Sequence, residues 1–167
     1  MDLYYMIFTW TILCRLNCKR ISNGWSKLLN EGDEIMKHYY VVAAVVCHDS
    51  KYLCMQKGKT KFEYTSYKWE FPGGKIEPGE TPQQALAREL MEEMEYPVEI
   101  GEKLTTVTHE YPDFSITMTA FLCTPKAEAN GFKLKEHADS KWCCKEELQG
   151  LDWAAADVGV VSALLVS

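Results

Sequence analysis

Positive charge is in short supply in this chain. Its 167 residues carry 18 Lys and Arg against 24 Asp and Glu, a formal net charge of −6. Binders of nucleic-acid polymers usually present a basic face, so no polymer partner is expected. A small phosphorylated ligand is not excluded, because a bound metal reverses the local sign. Cysteine shows no ligand or disulfide pattern: there are 7, with no CxxC, and Cys143 and Cys144 are adjacent. Reduced thiols in a cytoplasmic protein are expected, since cytosolic disulfides are rare. Cys47 and Cys54 read as small core residues. His38, His48, His109 and His137 fall in no ligand spacing and read as structural. Repeats and low-complexity segments are absent.

Long hydrophobic runs are also missing. Leu3 to Cys14 is apolar over 12 residues, short of the roughly 20 that span a bilayer. No positive charge precedes it and no small-residue cleavage site follows closely, so it makes a poor secretory signal. No membrane partner is expected. Glu31-Gly32-Asp33 back-translates to a purine-rich, ribosome-binding-like sequence, and Met36 then opens MKHYYVVAAVV directly into a strand. Residues 1–35 are therefore expected to be translated leader, or else a disordered or short helical extension, and residues 36–167 the domain. With 47% hydrophobic and 25% charged residues, the chain has the composition of one globular domain with a sizeable core. A monomer or weak dimer is expected.

What is present is a clear alternation of elements. Tyr39 to Val46 and Tyr52 to Gln56 read as strands, Lys57 to Lys68 as a loop, and Trp69 to Phe71 as a short strand ended by Pro72-Gly73-Gly74. Thr81, Pro82 and Gln84 form an N-cap, a first helical position and a capping box, so a helix runs from there to about Glu95, before Pro97. Leu104 to His109, Phe114 to Leu122 and Lys141 to Cys144 read as strands. Glu146 to Leu148 reads as a helical turn and Ala154 to Val166 as a C-terminal helix. The fold class is α/β, a sheet packed between helices.

The first helix carries the chemistry. Leu86, Leu90 and Met94 make its apolar stripe. Glu89, Glu92 and Glu93 make a second stripe beside it, at the edge of the core. Like charges at these spacings repel, and a divalent cation with hard oxygen ligands removes the cost. Arg88 stands four residues before Glu92 and can buttress it. Glu80 precedes the cap, where a negative charge favours the helix start. The Gly73-Gly74 backbone can approach phosphate or metal closely, and Lys75 can neutralise phosphate oxygens. A solvated acidic face is the plain alternative, but the helix lacks the matching lysines.

Gly74, Glu80, Arg88, Glu89, Leu90, Glu92 and Glu93 fit the signature of the Nudix family, which this chain resembles over residues 37–166. The surrounding WEFPGGKIEPGETPQQA is similar to the MutT branch. The resemblance implies an α/β/α sandwich with a mixed sheet. It further implies a Mg²⁺-dependent (alternatively Mn²⁺-dependent) pyrophosphohydrolase of nucleoside triphosphates, with a role in nucleotide-pool sanitation and DNA repair. By position it implies metal ligation by the Gly73 carbonyl, Glu89, Glu92, Glu93 and Glu136. It also implies a water-orienting role for Glu89, orientation of Glu89 by Arg88, and a ligand or base role for Glu136. Lys57, Glu70, Phe71, Gly74, Lys75 and Asp157 are the implied substrate-binding residues. Other nucleoside diphosphate derivatives as substrate, or a non-catalytic nucleotide-binding module, remain open. One departure stands out: Glu95 replaces the glycine usual at the helix end, at a cost of roughly 1 kcal/mol if the position is left-handed.

Asp157 bears on the base. An ionised aspartate only accepts hydrogen bonds, which favours an amino or ring N–H on cytosine or guanine. The run WAAADVGVV is similar to the CTP pyrophosphohydrolase type, which accepts cytidine and oxidised pyrimidine nucleotides. Helix capping is the alternative role for Asp157.

Overall fold

A computed structural model describes residues 36–167, so the leader expected over residues 1–35 lies outside the described residues. Six strands form the sheet: β1 (Lys37–His48), β2 (Lys51–Lys57), β3 (Trp69–Glu70), β4 (Val98–Glu110), β5 (Phe114–Pro125) and β6 (His137–Cys143). The helices are α1 (Pro82–Met94), α2 (Lys145–Leu148) and α3 (Asp157–Val166). The order is β3-β2-β1-β5-β4, with β6 on β2. β1 and β5 run parallel, from Lys37 opposite Phe114 to Val46 opposite Cys123, while the other pairs are antiparallel. The sheet is therefore mixed.

The alternation of β1 splits the core in two. Val42, Ala44 and Val46 face α1 and pack with Leu86, Leu90 and Met94, the expected stripe. Ala43 and Val45 face the other way and pack with Val160, Val161 and Leu164 of α3. The sandwich has its predicted three layers. The predicted capping box is formed: Gln84 N–H donates to Thr81 Oγ1 at 3.2 Å, and Thr81 N–H donates to Gln84 Oε1 at 2.8 Å. Among the described residues no helix is long and apolar enough to cross a membrane.

Several boundaries differ from the sequence reading. β4 begins at Val98 rather than Leu104, because an edge strand tolerates charges such as Glu99 and Glu102 and absorbs irregular pairing near Gly101 as a bulge. β6 begins at His137 rather than Lys141, held by the long pairing with β2. α3 starts at Asp157 rather than Ala154; before it the Asp157 N–H closes a tight turn on the Ala154 carbonyl at 2.9 Å. A short 3₁₀ turn, Glu63–Thr65, interrupts the loop after β2.

Candidate active site

The diglycine loop is pressed between β1 and α1. Ala44 N–H donates to the Pro72 carbonyl and Val42 N–H to the Gly74 carbonyl, each at 2.8 Å. Among the described residues no backbone N–H takes the Gly73 carbonyl between them. A Cβ on Gly73 (φ 154°) would lie 2.1 Å from the Val42 carbonyl oxygen. One on Gly74 would lie 2.3 Å from the Glu89 carboxyl carbon. The Glu89 carboxylate thus rests on a surface that only glycine leaves open.

Arg88 is the hub of the acidic helix. Its Nε and Nη2 donate to Glu80 Oε1 and Oε2 at 2.8 and 3.0 Å. Its Nη1 donates to Glu89 Oε1 at 2.9 Å and Glu92 Oε2 at 3.1 Å, and Nη2 also reaches the Lys75 carbonyl at 3.0 Å. The expected buttress of Glu92 is present, and Glu80 and Glu89 share it. The Arg88 hydrogen bonds hold the Glu80 carboxyl down at about 2.

Glu93 is left out of this arrangement. Its Oε2 is buried without a hydrogen-bond partner. Burial pushes its pKa up to about 7, aided by the nearby carboxylates of Glu89, Glu70 and Glu136, with His137 opposing. A buried carboxylate without a donor is costly. A divalent cation would meet it, and the donors at hand are hard oxygens: the free Gly73 carbonyl, Glu89, Glu92, Glu93 and the exposed Glu136. This donor set fits such an ion. Among the described residues, no three Asp, Glu, His or Cys side chains are already drawn together tightly enough to hold one.

Beside this cluster lies a charged chain that the sequence did not disclose. Lys57 Nζ pairs with Glu70 Oε2, and His137 Nε2 lies 3.2 Å from Glu70 Oε1. Burial pushes the Glu70 carboxyl up, but the His137 hydrogen bond and the Lys57 charge outweigh it and hold it below its usual range. Glu70 is therefore ionised, and His137 Nε2 is the donor. Lys57 is already balanced by this carboxylate. Lys75 is exposed, with its Nζ 4.3 Å above the Tyr39 ring.

Asp157 is 2% exposed. It does not cap α3; its Oδ1 accepts from the Phe71 N–H at 2.9 Å. Burial, then the Glu70 charge, pushes its carboxyl up to about 8. The group is mostly neutral at pH 7, so it donates as well as accepts. The premise of an ionised, acceptor-only Asp157 is thereby revised. The Phe71 ring is buried against Trp153, with centroids 4.9 Å apart. Glu95 does end α1 in the left-handed region, at φ 51°.

The NUDIX domain family matches residues 37–164. The chain is a Nudix hydrolase. Among curated relatives of this hydrolase, the CTP pyrophosphohydrolase of Escherichia coli is 33% identical over 130 residues, 78% of this chain and 93% of that protein. The 8-oxo-dGTP diphosphatase of Proteus vulgaris is 41% identical over 88 residues, 53% of this chain and 78% of that protein. Among solved structures, the E. coli ORF135 protein aligns with a TM-score of 0.66 at 32% identity, covering 78% of this chain and 91% of that one. The sandwich and its acidic helix are thus those of the Nudix hydrolases of the MutT type.

Proposed function

We propose that this Nudix hydrolase converts a nucleoside triphosphate and water to the monophosphate and pyrophosphate, using Mg²⁺ or, in its place, Mn²⁺. The observation that carries the reading is Glu93: a buried carboxylate oxygen with no donor, under the charge of the Glu89, Glu70 and Glu136 carboxylates. The Gly73 carbonyl, Glu89, Glu92, Glu93 and Glu136 would hold the cation. When bound, the ion polarises a phosphoryl oxygen and lowers the pKa of solvent water.

The chain's own residues do the rest. Glu89, seated on Gly74, orients the attacking water. Arg88 fixes Glu89 and Glu92 and so positions the carboxylates. Lys57 and Lys75 face phosphate oxygens, and the glycine loop lets the phosphates come close. Glu70 sets the charge of Lys57.

Asp157 supports a cytidine or oxidised base. A neutral carboxyl offers an O–H beside a carbonyl oxygen. Cytosine presents the complementary pair, a ring-nitrogen acceptor next to an amino donor. The Phe71 N–H fixes the carboxyl in place. The named relatives act on CTP and on 8-oxo-dGTP, which supports a role in clearing such nucleotides from the cytoplasmic pool.

A panel of nucleoside triphosphates with Mg²⁺, read by product mass, tests this. Monophosphate with pyrophosphate, fastest on a cytidine or oxidised nucleotide, is the expected result. Binding without turnover across the panel would point instead to a nucleotide-binding module and overturn the proposal.

A further inference from the structure

Residues 126–136 join β5 to β6 without a helix or strand of their own, and Glu136 is the last of them. The Glu136 side chain is exposed. A long exposed side chain takes its place from the backbone that carries it, so whatever fixes this segment decides where the carboxylate goes.

Two sets of contacts fix it, both made with the end of α1 and the residues just after it. The first set is neutral. The Tyr96 O–H is shared between the Glu128 and Ala129 carbonyls at 3.2 and 3.1 Å, and the Phe132 ring meets the Tyr96 ring edge-on, with centroids 5.4 Å apart. The second set lies immediately before Glu136. Lys133 N–H donates to the Met94 carbonyl at 2.8 Å, and Lys135 N–H donates to the Glu93 carbonyl at 3.3 Å. Both lysine side chains then converge on one carboxylate. Lys133 Nζ pairs with Glu95 Oε2, and Lys135 Nζ with Glu95 Oε1 at 2.9 Å.

Glu95 holds this carboxylate at a cost. Its backbone sits at φ 51° and ψ 36°, a left-handed conformation that glycine adopts without strain. Glycine would end the helix as well, but it would offer the two lysines nothing. Strain kept at a residue with a side chain points to a task for that side chain.

We propose that Glu95 is a positioning residue for Glu136: by gripping Lys133 and Lys135 it fixes the last residues before Glu136 against α1 and so sets the reach of that carboxylate into the site. The inference rests on the reading of Glu136 as a ligand or base of the hydrolytic site. Without the grip, the Tyr96 contacts still hold the segment to the fold, and only its final residues loosen. The expected signature is therefore a loss in kcat, with the fold and KM retained.

The test is Glu95→Gln in the full chain, which keeps a side chain on the left-handed residue and removes the charge. In metal-free buffer, hydrogen exchange at the Lys133 and Lys135 amides should quicken about threefold to tenfold, the scale that two exposed pairs supply. The Tyr96 amide should be unchanged. With Mg²⁺ and a nucleoside triphosphate, kcat should fall about tenfold and KM should stay within about twofold, as for a displaced catalytic group. Made on Glu136→Gln, the same substitution should lower the residual turnover by less than about twofold, because the two residues act as one unit. An equal fall in both backgrounds, or unchanged exchange at the two lysine amides, would overturn the proposal and leave the role of Glu136 standing. Wild-type kcat in Glu136→Gln would overturn the reading of Glu136 and the proposal with it.

Discussion

Arg88 grips Glu80 through two parallel hydrogen bonds, 2.8 Å from Nε and 3.0 Å from Nη2, and uses its remaining donors on Glu89, Glu92 and the Lys75 carbonyl. One planar cation thereby ties the loop, the helix start and the carboxylates of α1 together. Lysine cannot reproduce the fork. Arg88→Lys is expected to lower kcat/KM about 100-fold, because small displacements of positioned groups are that costly. Stability should fall by about 1–2 kcal/mol, the scale of lost charge-assisted hydrogen bonds. The urea midpoint and steady-state kinetics check the two effects. Unchanged kinetics with lowered stability would reduce Arg88 to a tether. The Glu80 carboxyl is held near 2 against an ordinary 4.5. Its contribution is therefore fully present above about pH 4.5 and is lost only as the pH falls toward 2.

Glu93 gives the opposite sign. The folded chain keeps its proton up to about pH 7, against an ordinary 4.5. In metal-free buffer its contribution is full below 4.5 and is lost as pH rises through 7. Glu93→Gln should therefore gain on the wild type in thermal stability between those values. Adding Mg²⁺ at 100 times its Kd should raise wild-type stability by about 2.7 kcal/mol and leave the variant almost unmoved. Turnover should vanish in the variant with its fold intact. Near-normal turnover in Glu93→Gln would refute its assignment as a ligand.

Much of this site was legible because its signals are local. The cap residues, the stripe of Leu86, Leu90 and Met94, and the acid spacing all sit within one helix, where position follows from the period. The diglycine loop was legible for the same reason. What escaped the sequence depends on pairing across the sheet. His137 meets Glu70 over a separation of 67 residues, and the registers of β6 and of β3 on β2 bring them together. The Glu136-His137 pair at the start of β6 was the available signal. The place of Asp157 near the start of α3 was legible; its burial, which decides its protonation, depends on the distant Phe71 and Glu70.

The two loop glycines should fail in different ways. An added Cβ at Gly73 meets backbone, the Val42 carbonyl at 2.1 Å, at a φ of 154° that disfavours side chains. At Gly74 it meets only the movable Glu89 side chain. Gly73→Ala should destabilise the fold by about 2–3 kcal/mol, the range for overpacking. Gly74→Ala should cost much less stability but displace Glu89 and lower kcat by about 100-fold. Denaturation and kinetics run on both variants give the comparison. An unchanged kcat in Gly74→Ala would show that the Glu89 seat on Gly74 has no separate catalytic consequence.

Asp157→Asn tests a buried carboxyl against its closest neutral analogue. Asparagine keeps the acceptor for the Phe71 N–H and cannot ionise. The Asp157 carboxyl holds its proton to about 8 in the folded chain, against an ordinary 3.8. Its contribution is thus full below 3.8 and is lost as pH rises through 8. The stability difference should shift toward the variant across that window. The carboxyl also presents an O–H donor where the amide presents N–H₂, so the ratio of kcat/KM for CTP and 8-oxo-dGTP should change, and the pH dependence of that ratio should flatten. A constant ratio at all pH values would remove Asp157 from base recognition and leave it a structural acid.

Glu95 tests whether a local violation has been offset. It ends α1 at φ 51° and ψ 36°, a conformation that favours glycine. Lys133 and Lys135 both pair with its carboxylate, and their hydrogen bonds hold it down at about 2. Glu95→Gly should recover roughly 1 kcal/mol of backbone strain and give up two exposed ion pairs, each weak. The two effects oppose one another at low salt. High salt screens the ion pairs, so the glycine variant should become the more stable of the two as ionic strength rises. Thermal denaturation at low and high salt measures the crossover. A stability difference that does not respond to salt would show that the lysine pairs do not offset the strained turn.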